Sequence, residues 1–334
     1  MNFIQSISGA SHLLLVETLV APLGQVNMPS YAGEEKGDPP RFVAWSNQDG
    51  TINANLDSIP SQANRIEPIF AKFPDLVPDT KVVYPNAALG LVAVPHRAAD
   101  PAIRYFFAKE LEALAKGDAQ PIAKRNPTAL LFGLWDSRAT MTKVQRVITG
   151  SVKVRSAGNQ PSATSLSSPF DDATRLQLET LTGKKASEIG IDQVPDYKEL
   201  GTLDTMTGAT IERRVFLSLS LLDKYEPKLR DYMRGLALVA LLYPVSLELR
   251  SGTSLVRRSR QLEAFNDNEL SSQQIGLDGA DEEALVFARA AAKKFGIGEP
   301  ETLTVDVKKI AASMKEFGER KEAKKAAKSG KGNQ

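Results

Sequence analysis

Apolar positions along this chain follow two periods. The run His12-Leu-Leu-Leu-Val-Glu-Thr-Leu-Val20 reads as a buried strand. Arg41–Trp45 is a shorter strand candidate, after a Gly- and Pro-rich loop from Pro22 to Pro40. Thr210–Leu221 alternates apolar and polar positions after Arg214 and is the clearest half-buried strand; Ser246–Arg250 is a shorter one. Val144–Val154 is either a strand pair or one strand bent at Gly150, and Lys81–Val94 is extended with breaks at Pro85 and Gly90.

Helical spacing takes over elsewhere. Ser58–Glu67 opens a helix with Ser61 as its N-cap and Ala63, Ile66, Ile69 and Phe70 on one face; Pro74 and Pro78 end it. Asp100-Pro101 starts another, whose apolar face is Ile103, Phe106, Phe107, Leu111 and Leu114. Leu229–Leu242 is strongly helical. Asp281–Phe295 has acids first, Lys293 and Lys294 last and Gly296 as its stop, an order that suits the helix dipole. Leu130–Trp135 is a buried strand or short helix, and Ser156–Ser168 is a flexible loop rich in Ser, Gly and Pro. Strands and helices thus alternate between long irregular insertions, without an internal repeat. The pattern predicts α+β or α/β, as one large domain or two small ones over 334 residues.

Composition excludes several chemistries. With no cysteine there is no disulfide, thiol nucleophile or Cys-held zinc, which suits a reducing cytoplasm. No His pair or Asp-x-Asp arrangement has metal-ligand spacing, so no metal or cofactor is expected. Gly276-Leu-Asp-Gly279 lacks the residues of a phosphate-binding glycine loop, and a serine nucleophile elbow is missing. His12 begins an apolar strand and reads as structural. His96, beside Arg97, is the one candidate general base or phosphate ligand, and it has no histidine partner. The His12–Pro22 stretch is too short and too acidic for a signal peptide, and Leu236–Val245 is too short to span a membrane.

Charge supplies the positive signal. The whole chain is nearly balanced, 42 Lys+Arg against 40 Asp+Glu, yet Ala119–Phe170 holds seven basic residues and only Asp136 as an acid. Such a one-sign segment suits a polyanion. Ser61, Gln62, Asn64 and Arg65 place amide, hydroxyl and guanidinium groups at a helix start, where free N–H groups favour phosphate; the plainer alternative is a cap with a surface arginine. Asp136-Ser137-Arg138, with Thr140 and Lys143, is a polar turn after a buried run, and Arg155 extends the basic segment. Adjacent strand residues face opposite sides, so one of Arg213 and Arg214 faces the functional surface. Arg250 and the Arg257-Arg258-Ser-Arg260 cluster add to a surface that would track a backbone rather than read sequence. Seven acids and no bases lie between Arg260 and Arg289, either a solvated acidic loop or one face of a head-to-tail contact. From Lys315 to Gln334, seven Lys/Arg and three Glu make a basic tail expected to fray, with solubilising or non-specific nucleic-acid contact as its role.

Four segments carry a family resemblance: His12–Pro22, Ser61–Glu67, Asn126–Arg138, and Glu212–Arg214 with Leu249–Gly252. Over roughly residues 10 to 295 the chain resembles the Cas-seven backbone subunit of the CRISPR Cascade complex, in the RAMP superfamily, subtype I-U (also called I-G). The resemblance implies an α+β, RRM-like (ferredoxin-like) palm over residues 1–300, with inserted thumb or finger elements for which 77–91 and 156–168 are candidates, and a C-terminal segment 301–334. It implies a non-catalytic subunit that assembles head to tail with its own copies along a guide RNA (crRNA), whose base pairing to a target DNA strand supplies sequence specificity. The implied partners are a large subunit and a fused Cas-five/Cas-six protein. Carried over, Ser61, Gln62, Asn64, Arg65, Ser137 and Arg138 would contact guide phosphates, with Arg213, Arg214 and Arg250 as weaker assignments; Arg97, Lys143 and Arg155 join them as basic candidates. Some related backbone subunits cleave RNA with a loop aspartate; Asp136 or Asp57 would be the counterpart, though no local pattern marks either. The rivals are an RNA endonuclease using His96 with Arg97, and a general RNA-binding protein outside CRISPR.

Overall fold

The computed structural model describes residues 2–31, 41–137, 139–159, 171–185, 188–189, 201–206, 208–267, 269–312 and 315. Its centre is a nine-stranded sheet in which every pairing is antiparallel. The path runs Glu269–Ile275, Val256–Asn266, His12–Val20, Thr210–Ser218, Ile148–Asn159, Thr202–Asp204 and Gln25–Asn27; Ile52–Asp57 also pairs with Ile148–Asn159 and carries Ala44–Ser46 at the edge. Four central strands, counted along the chain, lie in the order 4-1-3-2 (Val256–Asn266, His12–Val20, Thr210–Ser218, Ile148–Asn159). The Ile59–Ile66 helix falls between the first and second of them, and Pro227–Leu242 between the third and fourth. The fold is α+β.

The His12–Val20 strand has the predicted bounds. Leu13, Leu15 and Leu19 are buried on one face, and each such side chain contributes about 1.5–3 kcal/mol. The same face of Thr210–Ser218 buries Ile211, Val215 and Leu217. Pro227–Leu242 starts with Pro227 at its first turn and packs on Ala280–Phe295. The approach is close because Gly235 has no side chain: a Cβ there would meet Ala288 Cα at 2.7 Å. Ala280–Phe295 has the expected acidic first turn, basic last turn and left-handed Gly296.

Several expectations shift. The N-cap of Ile59–Ile66 is Ser58, not Ser61: the Ser58 hydroxyl accepts from the Ser61 N–H, and Pro60 sits in the first turn. After Asp100-Pro101 the chain makes a 3-10 turn, Arg104–Phe107, and the α-helix begins only at Ala108. Leu130–Trp135 is part helix and part strand, Thr128–Leu131 and then Leu134–Trp135. Lys143–Val144 pairs back on that short strand, while Ile148–Asn159 runs straight through Gly150, which Gln62 approaches. The long hairpin Val256–Asn266 and Glu269–Ile275 is the element that hydrophobic pattern missed, since much of it is polar and exposed.

The 77–91 thumb candidate holds the hairpin Lys81–Tyr84 and Ala87–Gly90, anchored in the core by Val77, Val82 and Leu91. Thr302–Thr304 adds to it in parallel and buries Leu303 and Val305, so the chain past residue 300 still belongs to the body. Of the 156–168 candidate, Ile148–Asn159 covers the start; residues 160–168 and the basic tail from 316 lie outside the described residues. The interior divides into two apolar clusters, a large one around Leu13, Leu15, Val215 and the long helices, and a smaller one around Leu19, Leu56, Val152 and Ile211.

Candidate nucleic-acid interface

The Ser61–Glu67 and Asn126–Arg138 segments converge on one cleft of about 720 Å³. One wall is the start of the Ile59–Ile66 helix, with Ile59, Pro60, Ala63 and Asn64; another is the 95–101 turn with His96; the third is the hairpin of Trp135 and Lys143, continuing to Arg146 and Thr149. None of the lining residues is a carboxylate.

Local structure explains how the hairpin is aimed. Asn126 holds the turn before it, accepting from the Ala98 N–H and donating to the Thr128 hydroxyl. The buried helix Thr128–Leu131 ends at Phe132, and Gly133, at φ 85°, turns the chain outward. A side chain at Gly133 would strike Arg146 Cγ at 2.9 Å. Leu134 then points into the core, and Trp135, one residue on, is 62% exposed. Trp135 was expected within a buried run; period-two alternation across the short strand puts it in solvent instead.

The turn after Trp135 is closed by Asp136, which is buried. Its carboxylate accepts from Arg104 Nε and Nη2 at 2.8 and 2.7 Å, and from the Thr140 N–H and hydroxyl at 3.0 and 2.7 Å. Burial alone would raise its pKa; the Arg104 and Thr140 hydrogen bonds outweigh that and hold it at about 2. Asp136 is therefore a bracket that shapes the turn, with its lone pairs occupied. Arg97 is a second bracket. It is buried beneath the cleft with φ 53°, donates to the Gly133 carbonyl at 3.2 Å and sits 2.6 Å from Glu67 Oε2. Glu67 lies so deep that burial pushes its pKa up to about 7 against the pull of Arg97.

What remains on the surface of the cleft is Asn64, His96, Trp135, Ser137, Lys143 and Arg146, all exposed. Lys143 and Arg146 pair with no carboxylate among the described residues. Two cations, an aromatic face and amide and hydroxyl groups form a surface for a single-stranded polyanion. A second cleft of about 550 Å³, beside Ser8–Ser11, contrasts with it: Asp223, Asp231 and Asp267 share it with Arg230 and Arg234. Its mixed charge has no net pull on a polyanion.

The other candidate residues divide sharply. Gln62, Arg65 and Arg213 are in a buried polar seam that separates the two apolar clusters. Glu17 accepts from Arg213 Nη1 at 2.7 Å; Arg213 Nε donates to Gln62 Oε1 at 2.7 Å; Gln62 Nε2 donates to Asp57 Oδ2 at 2.6 Å; and Arg65 Nε donates to the same oxygen at 3.0 Å. Arg65 then donates to the Glu248 and Leu249 carbonyls at 3.0 and 2.6 Å. Arg250 is likewise turned inward, to the Asn27 and Leu56 carbonyls. Asp57, like Asp136, is enclosed by its partners. Of the adjacent pair, Arg213 faces in and Arg214 out, where it donates to Glu212 at 3.0 Å. Arg155 is exposed on that outer side of the sheet, Ser61 is half-buried at the helix start, and Arg138 lies outside the described residues. His12 is a structural histidine: it stacks on Phe216 and its Nδ1 is 3.1 Å from Asp267.

Residues 23–157, which build nearly all of the cleft, match the family model described as CRISPR-associated protein GSU0053 (Cas_GSU0053). The match covers that segment alone, and it is a CRISPR-associated family that the segment resembles. No curated protein matches it. The matched segment includes both segments that converge on the cleft, whereas Glu212–Arg214 and Leu249–Gly252 lie beyond it. Trp135 completes the cleft without having been assigned to an RNA surface from sequence, whereas His96 was a candidate base or phosphate ligand and Arg146 one of the seven cations of the basic segment. The available signal was the sharp apolar-to-polar boundary at Trp135-Asp136, which marks a side chain carried to the surface. Among the described residues no cluster of His, Cys, Asp or Glu could hold a metal ion, and no helix is long and apolar enough to cross a membrane.

Proposed function

We propose that this protein is a CRISPR-associated, guide-RNA-binding backbone subunit of a Cascade-type effector, and that the cleft grips the RNA strand. One observation carries the proposal: exposed Trp135 stands beside Lys143 and Arg146, which among the described residues have no acid partner, in a cleft that no described carboxylate lines. Phosphates would lie on the two cations and a base on the indole, a mode that tolerates any sequence. The 4-1-3-2 order of the central strands, with helices after the first and third, supports an RRM-like palm. On this proposal, base pairing between guide and target DNA supplies specificity, and the subunit supplies backbone grip. Copies of the chain would follow one another along the spacer in a type I-U (I-G) complex with a large subunit and a fused Cas-five/Cas-six subunit.

The proposal makes the protein non-catalytic. His96 in the cleft favours a second possibility, an RNA endonuclease, but no carboxylate stands there to share acid–base work with it. Purifying the protein with and without guide RNA, then measuring nucleic-acid content and particle shape by negative-stain microscopy, tests the assignment. Regular particles with RNA protected along their length support it. A nucleic-acid-free monomer that ignores guide RNA even with partner subunits present sinks it. RNA cleavage lost in His96→Ala with binding intact would move the assignment to the endonuclease.

A further inference from the structure

Glu17 is surrounded by more positive charge than it can neutralise. Its carboxylate, 1% exposed, accepts from Arg213 Nη1 at 2.7 Å and Arg257 Nε at 2.6 Å, and Arg260 Nε lies 3.2 Å away. One carboxylate against these three arginines leaves about +2 on the cluster itself, offset in part by the Leu242 carbonyl, which accepts from Arg260 Nη2 at 2.7 Å, and by the charge of Asp281, which acts on Arg260.

The nitrogens tell the same story. Arg213 Nη2 and Arg257 Nη2 are both buried and have no hydrogen-bond acceptor among the described residues. A buried donor without an acceptor costs about 1–3 kcal/mol, and more when it is charged. Arg213 is not free to swing toward water, because its side chain is only 1% exposed and Gln62 holds its Nε.

Backbone geometry makes the convergence deliberate. Arg257 and Arg260 are three apart on one strand, a spacing that places side chains on opposite faces of a regular sheet. The pairing here shifts register: Thr18 is opposite Ser259, but Leu19 is opposite Arg257. The extra residue, Arg258, is a β-bulge that turns Arg257 onto the face of Glu17, and bulges recur where a side chain must be re-aimed. Arg257 and Arg260 are 25% and 28% exposed at the side chain, so the cluster opens to solvent at their end.

We propose that this bulge-centred cluster is a second anion site, separate from the cleft, which seats one phosphate oxyanion between Arg257 and Arg260 and completes the hydrogen bonding of the guanidinium groups around Glu17. The phosphate can be a free ion or one phosphodiester of a bound strand, and these differ in experiment. Planar guanidinium forks suit such oxygens, and burial strengthens each contact.

The test compares the full-length protein with Arg257→Gln by thermal unfolding, in sodium phosphate and in sodium chloride of equal ionic strength. The expected result is a phosphate-dependent rise of about 2 °C in the midpoint of the unmodified protein, mostly lost in the variant. Comparing the two proteins removes the general stabilising effect of phosphate salts, which acts on both. Arg260→Gln gives the same comparison should Arg257→Gln fail to fold. Single-stranded RNA binding then separates the sources. If a phosphodiester is the occupant, Arg257→Gln also weakens RNA binding about threefold to tenfold and lowers the salt slope by about one. If RNA binding is unmoved while the phosphate-dependent rise is lost, the site takes free phosphate. Equal phosphate effects in both proteins, with RNA binding unchanged, overturn the site. That outcome leaves the cleft untouched, since RNA binding there is read from Lys143 and Arg146; conversely, a protein that ignores RNA but shows the Arg257-dependent rise keeps the anion site and loses the cleft.

Discussion

The cleft and the polar seam are built from the same kinds of residue and do opposite work. In the seam, Arg213 and Arg65 are bound to Glu17, Gln62, Asp57 and two carbonyls, between two apolar clusters. In the cleft, Lys143 and Arg146 stand exposed beside Trp135, and two acids of the segments that build it, Asp136 and Glu67, are buried onto Arg104 and Arg97. An arginine with a buried carboxylate partner is a structural bolt, and a cation whose competing acids have been drawn away is available to a ligand. The lesson is that local charge density marks a segment but not a role. Pairing decides the role, and pairing is set by partners far away in the chain, such as Glu17 with Arg213 or Arg104 with Asp136.

The contrast can be broken most severely in the seam. Arg213→Ala leaves a cavity where a side chain is 1% exposed, takes the donor from Gln62 Oε1 and removes one of the arginines on Glu17, and should cost about 2–5 kcal/mol in urea unfolding. A loss under about 1 kcal/mol would mean that the seam is wet and the division is wrong. Acid should weaken the seam as well. Burial raises the Glu17 pKa, but Arg213 and Arg257 more than reverse that and hold it below the usual carboxylate value; the stability this contributes is present above about pH 4.5 and lost as pH falls below it.

Asp136→Asn comes next, because it removes the bracket under the cleft rather than a bolt in the core. Its folded pKa of about 2 lies below the ordinary 3.8, so its contribution is fully present above that ordinary value and disappears as pH falls toward 2. The variant should lose about 2 kcal/mol at neutral pH, and the gap from the unmodified protein should close in acid. A constant gap across pH would show that the ionised carboxylate is not what holds the turn.

In the cleft the expected effects move from stability to binding. Trp135→Ala should weaken single-stranded RNA binding by about 1–3 kcal/mol, whatever the sequence, because it removes a stacking face. Its unfolding free energy should change little, since the indole is 62% exposed. Sequence-selective loss would point instead to base readout. Lys143→Ala should be the mildest of the four, reducing the salt slope of RNA binding by about one and changing stability by less than about 0.5 kcal/mol. An unchanged slope would take Lys143 out of the interface. Arg65→Ala sharpens the comparison from the other side: it should resemble Arg213→Ala in unfolding rather than Lys143→Ala in binding.

Periodicity carried much of the architecture. His12–Val20 alternates around a sheet face, and Ala280–Phe295 announces both its ends through charge and Gly296, so local physics was enough for each. The hairpin Val256–Asn266 and Glu269–Ile275 escaped because its first strand is held by pairing with His12–Val20 and its second by pairing with the first, rather than by an apolar face along most of their length. In the site, the polar turn after Trp135 and the acid-poor segment were legible as a basic surface. The exposure of Trp135 was marked only by the apolar-to-polar boundary after it, and an aromatic ending an apolar run reads as core until the turn at Gly133 is seen. Gln62, Arg65 and Arg250 had the residue types of phosphate ligands, and nothing local distinguished them from bolts.

By itself the sequence determined that this chain mixes strands and helices, as α+β or α/β, with a basic segment in an otherwise balanced whole, and that two of its most distinctive segments are Ser61–Glu67 and Asn126–Arg138. Those are consequences of short-range patterns: side-chain period, turn chemistry and the local sum of charge. Tertiary structure decided which cations remain free. Charge pairing acts through space over a few ångströms, and the strand order 4-1-3-2 brings Glu17 against Arg213 across 196 residues while leaving Lys143 and Arg146 with no acid partner among the described residues.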